Sequence, residues 1–297
     1  LCIVLIRAFI QKRNNANVLQ TKNDVINAKN TALQSANIEI SNHKEIIEEK
    51  QKEIVDSINY ARKIQYALLA NDNLLDKNLP EHFVFFKPKD IVSGDFYWAT
   101  EHHEKFYLAV CDSTGHGVPG AFMSLLNIGF LSEAIKEKNI VPPNEVLNYV
   151  RTRLIESIGN DGQQDGMDAI LICIDAQSKN ITYAAANNEP VLIRKNEIIL
   201  LPKDKMPVGK GEKMSSFTLQ SLVLETGDVL YLYTDGYADQ FGGPKGKKFK
   251  SKALNELLID YSSKSISEQE NFLRKEFDAW KGNLEQVDDV CVVGIRF

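Results

Sequence analysis

The chain has 297 residues, 43% hydrophobic and 25% charged, with a formal net charge of −5. That balance can build a buried core, and the acidity argues against a nucleic-acid binder working through a general basic surface. Cys2, Cys111, Cys173 and Cys291 form no C-x-x-C pair, which points to reduced thiols of a cytoplasmic domain and away from disulfides or a zinc knuckle.

The chain opens Leu1-Cys2-Ile3-Val4-Leu5-Ile6, and Arg7, Lys12 and Arg13 follow. Ten residues are too few for a bilayer, which needs about 20. Residues 1–10 therefore read either as the end of a transmembrane helix with its basic flank on the cytoplasmic side, or as a plain hydrophobic helix end. On the first reading the rest of the chain is cytoplasmic, held at the inner face of the membrane by a segment ending near residue 10.

Residues 11–79 form a second region. No proline precedes Pro80 and no glycine precedes Gly94, so one long helix is predicted over about 11–70. Leu19, Ile26, Leu33, Ile40, Ile47, Ile54, Ala61 and Leu68 recur every seven residues, as in a coiled-coil seam. The companion row (Lys22, Lys29, Ala36, His43, Lys50, Ser57, Ile64) is mostly polar. One good row and one poor row imply a weak or conditional coiled coil, hence a homodimer through this helix; the alternative is a solvated single helix. Ile58, Ala61, Ile64, Ala67 and Leu68 make a denser apolar face, expected to dock on the domain that follows.

From residue 80 to 297 the pattern changes to short apolar runs bounded by turn formers. Strands are predicted at 83–86, 106–111, 169–174, 181–185, 191–194, 198–201, 229–233 and 290–295. Helices are predicted at 121–138, 144–159, 251–261 and 267–280. Strands in clusters, separated by paired helices, imply an α+β layered sandwich and not a doubly wound sheet.

Several aspartates stand where an apolar strand meets a glycine-containing turn. Asp95 follows Gly94; Asp112 ends the Leu108–Cys111 run; Asp235 precedes Gly236; Asp288-Asp289 precede the last strand. Taken singly, each is more often a turn or cap residue. Brought together, such carboxylates could not all ionise without cations. Mg²⁺ or Mn²⁺ suits oxygen ligands of this kind. Two such ions can activate a shared water for in-line attack on a phosphoryl group.

With these motifs assembled, Phe83–Phe297 resembles the PPM metal-dependent protein phosphatases, most of all their SpoIIE-like bacterial branch. The motifs are Ser93-Gly94-Asp95-Phe96-Tyr97-Trp98, Asp112-Ser113-Thr114-Gly115-His116-Gly117-Val118-Pro119-Gly120, Tyr233-Thr234-Asp235-Gly236-Tyr237-Ala238-Asp239 and Asp288-Asp289-Val290. The resemblance implies an αββα four-layer sandwich and a site holding two Mg²⁺ or Mn²⁺ ions. By resemblance Asp112 bridges the metals, Ser113 lends its carbonyl, Asp235 and Asp288 complete one shell, and Asp95 holds metal-bound waters. Asp289 is a less certain neighbour. His116 either contacts or protonates the leaving group, or is a turn residue between Gly115 and Gly117. Where relatives carry Ala-Gly-His-Asn-Pro-Pro, this chain has Ala185-Ala186-Asn187-Asn188-Glu189-Pro190, so any role of that histidine is absent or taken by asparagine. Asp168 carries little weight on sequence alone.

The implied activity is hydrolysis of phosphoserine or phosphothreonine on a regulatory partner protein, controlled through the N-terminal helix. The alternatives are a catalytically inactive signalling scaffold and a two-metal phosphohydrolase acting on a small molecule. The basic stretch Gly242–Lys248 lacks Walker A spacing; it reads as a solvated loop or as a guide for a phosphoprotein.

Overall fold

The computed structural model describes residues 2–79, 81–158, 165–175 and 180–297. They fall into two compact units, Leu1–Ser57 and Ile58–Phe297. The first unit is the greater part of a single helix, α1 (Cys2–Leu68), and every described residue of α1 up to Ser57 is solvent-exposed. The heptad residues Leu19, Ile26, Leu33, Ile40, Ile47 and Ile54 all face water, at 52–64% exposure, so nothing within this unit shields the seam. The helix starts at Cys2, with no break at the predicted start near residue 11.

The second unit begins with the last turns of α1, and here the predicted docking face is corrected. Ala61, Ile64, Ala67 and Leu68 are exposed, whereas Gln65 is buried and Ile58 half-buried. Leu69 and Ala70 follow into the core. A polar residue was not expected on the packed side; three hydrogen bonds, described below, satisfy it. A short helix, α2 (Asp72–Asn78), comes next, and Asn71 caps it by accepting from the Leu74 N–H at 2.9 Å.

The strands in chain order are β1 (Glu81–Lys87), β2 (Asp95–His102), β3 (Lys105–Ser113), β4 (Gly166–Asp175), β5 (Ile181–Ala186), β6 (Val191–Arg194), β7 (Glu197–Leu200), β8 (Val208–Gly209), β9 (Gln220–Leu222), β10 (Val229–Tyr233), β11 (Phe241–Gly242), β12 (Lys247–Lys248) and β13 (Val290–Arg296). The longer helices are α3 (Gly117–Ser132), which continues into a π-helical segment (Glu133–Glu137), α4 (Pro143–Ile158), α6 (Ser251–Tyr261) and α7 (Ile266–Lys281); α5 (Gly236–Asp239) is one turn. One sheet has the order β1-β13-β10-β6-β7, the other β2-β3-β4-β5-β9 with β8 beside β4. All of these pairings are antiparallel.

The period-two alternation of the central strands builds three cores. On β3, Leu108 and Val110 face the other sheet, where they meet Leu192, Leu230, Leu232 and Val293. Tyr107, Ala109 and Cys111 face the opposite way, under Leu131 of α3 and Val146 and Val150 of α4. Tyr231 and Val292, on the outer face of the other sheet, pack under Leu254 of α6 and Leu273 and Phe277 of α7. Helix pair, sheet, sheet, helix pair is the expected αββα sandwich. Gly117–Glu137 is long and apolar enough to cross a membrane, but half of its apolar stretch is buried against this core. Cys111, Cys173 and Cys291 are buried free thiols and Cys2 is exposed.

Candidate metal centre

The two sheets end together at one edge of the sandwich, and the carboxylates collect there. Asp95, Asp112 and Asp168 oppose one another directly on neighbouring strands β2, β3 and β4. Opposed residues in such ladders lie about 4.5–5.5 Å apart at Cα. The inward-facing series Leu108, Val110 on β3 and Ile172, Ile170 on β4 continues by the same alternation to Asp112 and Asp168. The strands therefore aim these side chains into the gap between the sheets. From the other sheet, Asp235 lies two residues beyond Tyr233, and Asp288 two residues before Val290.

One side-chain hydrogen bond joins the two sides, and close backbone approaches tighten each of them. The Thr234 hydroxyl donates to Asp95 Oδ2 at 2.6 Å, and the Thr234 N–H donates to the Cys291 carbonyl at 3.0 Å. A Cβ on Gly94 would lie 2.2 Å from the Gly115 carbonyl oxygen, and one on Gly236 would lie 1.8 Å from that of Asp289. Neither position tolerates a side chain.

Burial and mutual repulsion shape the charge. Burial, and then the Asp112 charge, pushes Asp95 well above the usual carboxylate range, against the Thr234 hydrogen bond. Asp112 is pushed up to about 8 by burial and by Asp235, Asp288 and Asp168. Asp235 rises to about 6, through burial and then Asp239 and Asp288, with Lys248 opposing. Burial also raises Asp288 and Asp168.

This donor set fits a hard divalent cation. Oxygen ligands predominate, and cations would relieve the repulsion that otherwise holds protons on the cluster. Among the described residues no group of three or more His, Cys, Asp or Glu side chains is already gathered closely enough to hold a metal ion by themselves. An ion of the Mg²⁺ type, which keeps several waters, requires none.

Ser113 is buried; its hydroxyl accepts from Asn127 Nδ2 at 3.0 Å, and its carbonyl borders the space beside Gly94. His116 stands at the exposed N-cap of α3, with Nδ1 2.9 Å from Asp90 Oδ2 and Nε2 3.3 Å from Lys89 Nζ. Asp289 differs in kind from its neighbour. Both of its oxygens are engaged by backbone N–H groups, of Lys89 at 2.7 Å and of Gly94 at 2.8 Å, so it holds the 89–94 loop.

Sequence reasoning undervalued Asp168. It shares a cavity of about 190 Å³ with Asp112, Thr114, Met167 and Pro207. Asn187 donates to Asp168 Oδ1 at 2.8 Å. Gln65 was missed as well. Its Nε2 donates to the Ser93 carbonyl at 2.6 Å and to Ser124 Oγ on α3 at 2.8 Å, and its Oε1 accepts from the Ser93 N–H at 3.1 Å. The basic stretch 242–248 is a small hairpin, β11–β12, in which Lys248 pairs with Asp239 at 2.6 Å. A larger groove of about 630 Å³, lined by Asn139, Val141 and Tyr149 among others, lies near the far end of β2 and holds no carboxylate cluster.

Comparison with known proteins places this geometry. The SpoIIE family, described as Stage II sporulation protein E, matches residues 102–297. Protein IcfG of Synechocystis sp. (strain ATCC 27184 / PCC 6803 / Kazusa) is 29% identical over 241 residues, 71% of this chain and 37% of its own length. The chain thus spans little more than a third of that relative. The SiaA-PP2C domain of Pseudomonas aeruginosa superposes with a TM-score of 0.76 at 31% identity, covering 83% of this chain and 98% of that domain. RsbX, solved in complex with magnesium, shares the fold at a TM-score of 0.52 and 16% identity, over 73% of this chain and 94% of its own. The chain belongs to the SpoIIE family, and its 58–297 unit has the fold of a PP2C-type phosphatase domain.

Proposed function

We propose that this domain is a metal-dependent serine/threonine protein phosphatase acting on a phosphorylated regulatory protein. The observation that carries the reading is the convergence of Asp95, Asp112, Asp235 and Asp288, from both sheets, on one edge of the sandwich, with Asp112 held near 8. Asp112, Asp235, Asp288 and the Ser113 carbonyl would hold two Mg²⁺ or Mn²⁺ ions, with Asp95 binding their waters. When bound, the ions supply an activated water and neutralise phosphoryl charge. The protein's own part is to orient that water through Asp95 and to present His116 to the leaving oxygen as a proton donor. The cavity beside Asp112 is smaller than the roughly 300–1,000 Å³ of a typical small-molecule site, which favours a phosphorylated side chain presented by a protein.

Control runs through α1 in this reading. Gln65 ties the end of that helix to Ser93, two residues from Asp95, and to Ser124 on α3. Pairing of two copies along the exposed heptad row would bias the position of Gln65, and so the metal-competent state. An upstream membrane anchor would place the input at the membrane. The test is hydrolysis of a phosphoserine peptide by the full chain with Mn²⁺, against a chelator control and against residues 58–297. The reading expects metal-dependent turnover, a dimer only with the full helix, and a several-fold rate difference between the two forms. No turnover at millimolar Mn²⁺ overturns the enzyme assignment. Equal rates and equal oligomeric state overturn the regulatory one.

A further inference from the structure

A wall of carboxylates by itself repels a phosphomonoester dianion. The open side of this one carries a different set of groups. Asp288 feels Lys89 and His116 as attractive charges, which puts both within electrostatic reach of the centre. Lys89 follows Pro88 in the loop after β1. Its backbone is fixed by Asp289, the same carboxylate that holds Gly94. Its ammonium makes no ion pair with a carboxylate among the described residues, and it lies against His116 Nε2 at 3.3 Å. On the other side of the ring, Asp90 takes Nδ1 at 2.9 Å. Asp90 itself is seated under the turn, where a Cβ on Gly117 would come within 3.1 Å of its Oδ2.

A carboxylate on Nδ1 fixes the proton there and turns Nε2 outward. In the neutral ring Nε2 is then an acceptor, and Lys89 fills it. Once Nε2 carries a proton, the two cationic donors face one another and the ammonium needs a new anionic partner. A phosphoryl oxygen is a partner of the right charge and size, and a charge-assisted bond to it is strong.

We propose that Lys89 is the phosphoryl-binding cation of this site and that Asp90 is the positioning residue that holds His116 toward the leaving oxygen. The proposal rests on the phosphatase reading and adds its substrate side. As the P–O bond to serine breaks and the attacking hydroxide oxygen forms the new P–O bond, His116 Nε2–H passes its proton to the serine oxygen. The products are a serine hydroxyl and hydrogen phosphate, and water reprotonates the ring.

The experiment uses the full Mn²⁺-loaded chain with two substrates, a phosphoserine peptide and p-nitrophenyl phosphate, and inorganic phosphate as inhibitor. The leaving group of the second substrate is stable without protonation, so it does not need His116. Lys89→Met is expected to raise KM and the inhibition constant of phosphate about tenfold or more, with kcat changed little and Lys89→Arg restoring most of the affinity. Asp90→Ala is expected to lower kcat on the peptide by about a hundredfold and on p-nitrophenyl phosphate by only a few-fold, with Asp90→Asn intermediate. A merely structural role would slow both substrates alike, and that result overturns the assignment of Asp90. Unchanged KM and phosphate inhibition in Lys89→Met overturn that of Lys89. A wild-type chain inactive on both substrates refutes the underlying phosphatase reading instead, so the two failures are distinguishable.

Discussion

The two walls of the metal centre are made differently. On the β2-β3-β4 side, Asp95 and Asp112 belong to the hydrogen-bonded ladder itself, so the register of the sheet sets their spacing. On the other side, Asp235 caps the single turn α5, Asp288 sits in the segment before β13, and Asp235 is exposed where Asp95 is buried. The rigid wall carries the larger perturbations, Asp112 near 8 against Asp235 near 6. One wall is set by the ladder and carries the more strongly raised carboxylates, and the other is set by a turn and the segment before β13.

The sharpest way to break that comparison is to remove one carboxylate from each wall. Asp112→Ala and Asp235→Ala should each lower turnover by about a thousandfold or more, because each loses a ligand needed to activate the water. Their metal-free stabilities should diverge. Losing the half-buried, strongly repelled Asp112 should raise the melting temperature in chelator by a few degrees, and losing the more exposed, less perturbed Asp235 should raise it by less. Equal shifts would mean the walls are equivalent after all.

The glycines test the same contrast through the backbone. Gly236→Ala drives a methyl group into the Asp289 carbonyl, and Gly94→Ala drives one into that of Gly115. Each is expected to cost about 2 kcal/mol or more in chemical denaturation. Asp235 belongs to a turn and not to a ladder, so Gly236→Ala should recover more activity at high Mn²⁺ than Gly94→Ala. The reverse order would contradict the assignment of rigidity.

The remaining test concerns pH. Asp112 titrates near 8 in the folded, metal-free protein but near 3.9 when unfolded. Between those values the native state binds more protons than the unfolded one, so stability is full below about pH 4 and falls as pH rises toward 8. Melting in chelator should therefore occur at a lower temperature at pH 8 than at pH 5. Mn²⁺ should reverse the loss at pH 8, and a melting temperature that climbs over that range without metal would refute it.

Much of this was legible in the residues. Val191–Arg194, Val229–Tyr233 and Ser251–Tyr261 begin and end where their patterns predict, because each is a short apolar run or amphipathic stretch between turn formers. β2 was not read as a strand. Its Phe96-Tyr97-Trp98 core is apolar on both faces, and Thr100, Glu101 and His102 dilute the alternation. The 121–138 helix was anticipated, but not its π-helical end, where Glu133 meets Tyr149 at 2.6 Å. Asp168 becomes a site residue only through its register with Asp112, which depends on strand pairing and not on local pattern. Asp288 and Asp289 look alike as letters, and only the two N–H groups on Asp289 separate the loop-holding residue from the proposed ligand. Lys89 and Asp90 gave no signal beyond a charged pair after a proline.

The place of β13 has a consequence for biosynthesis. Among the described strands it is the last to be synthesised, yet it lies between β1 and β10, and Asp288 and Asp289 directly precede it. One sheet therefore cannot zip until residue 296 has been made, and its pairing partner β1 must wait unpaired for some 200 residues. Nascent chains would carry an open sheet edge and no competent centre. A ribosome stalled before residue 288 would thus display an aggregation-prone intermediate whose carboxylate cluster is incomplete.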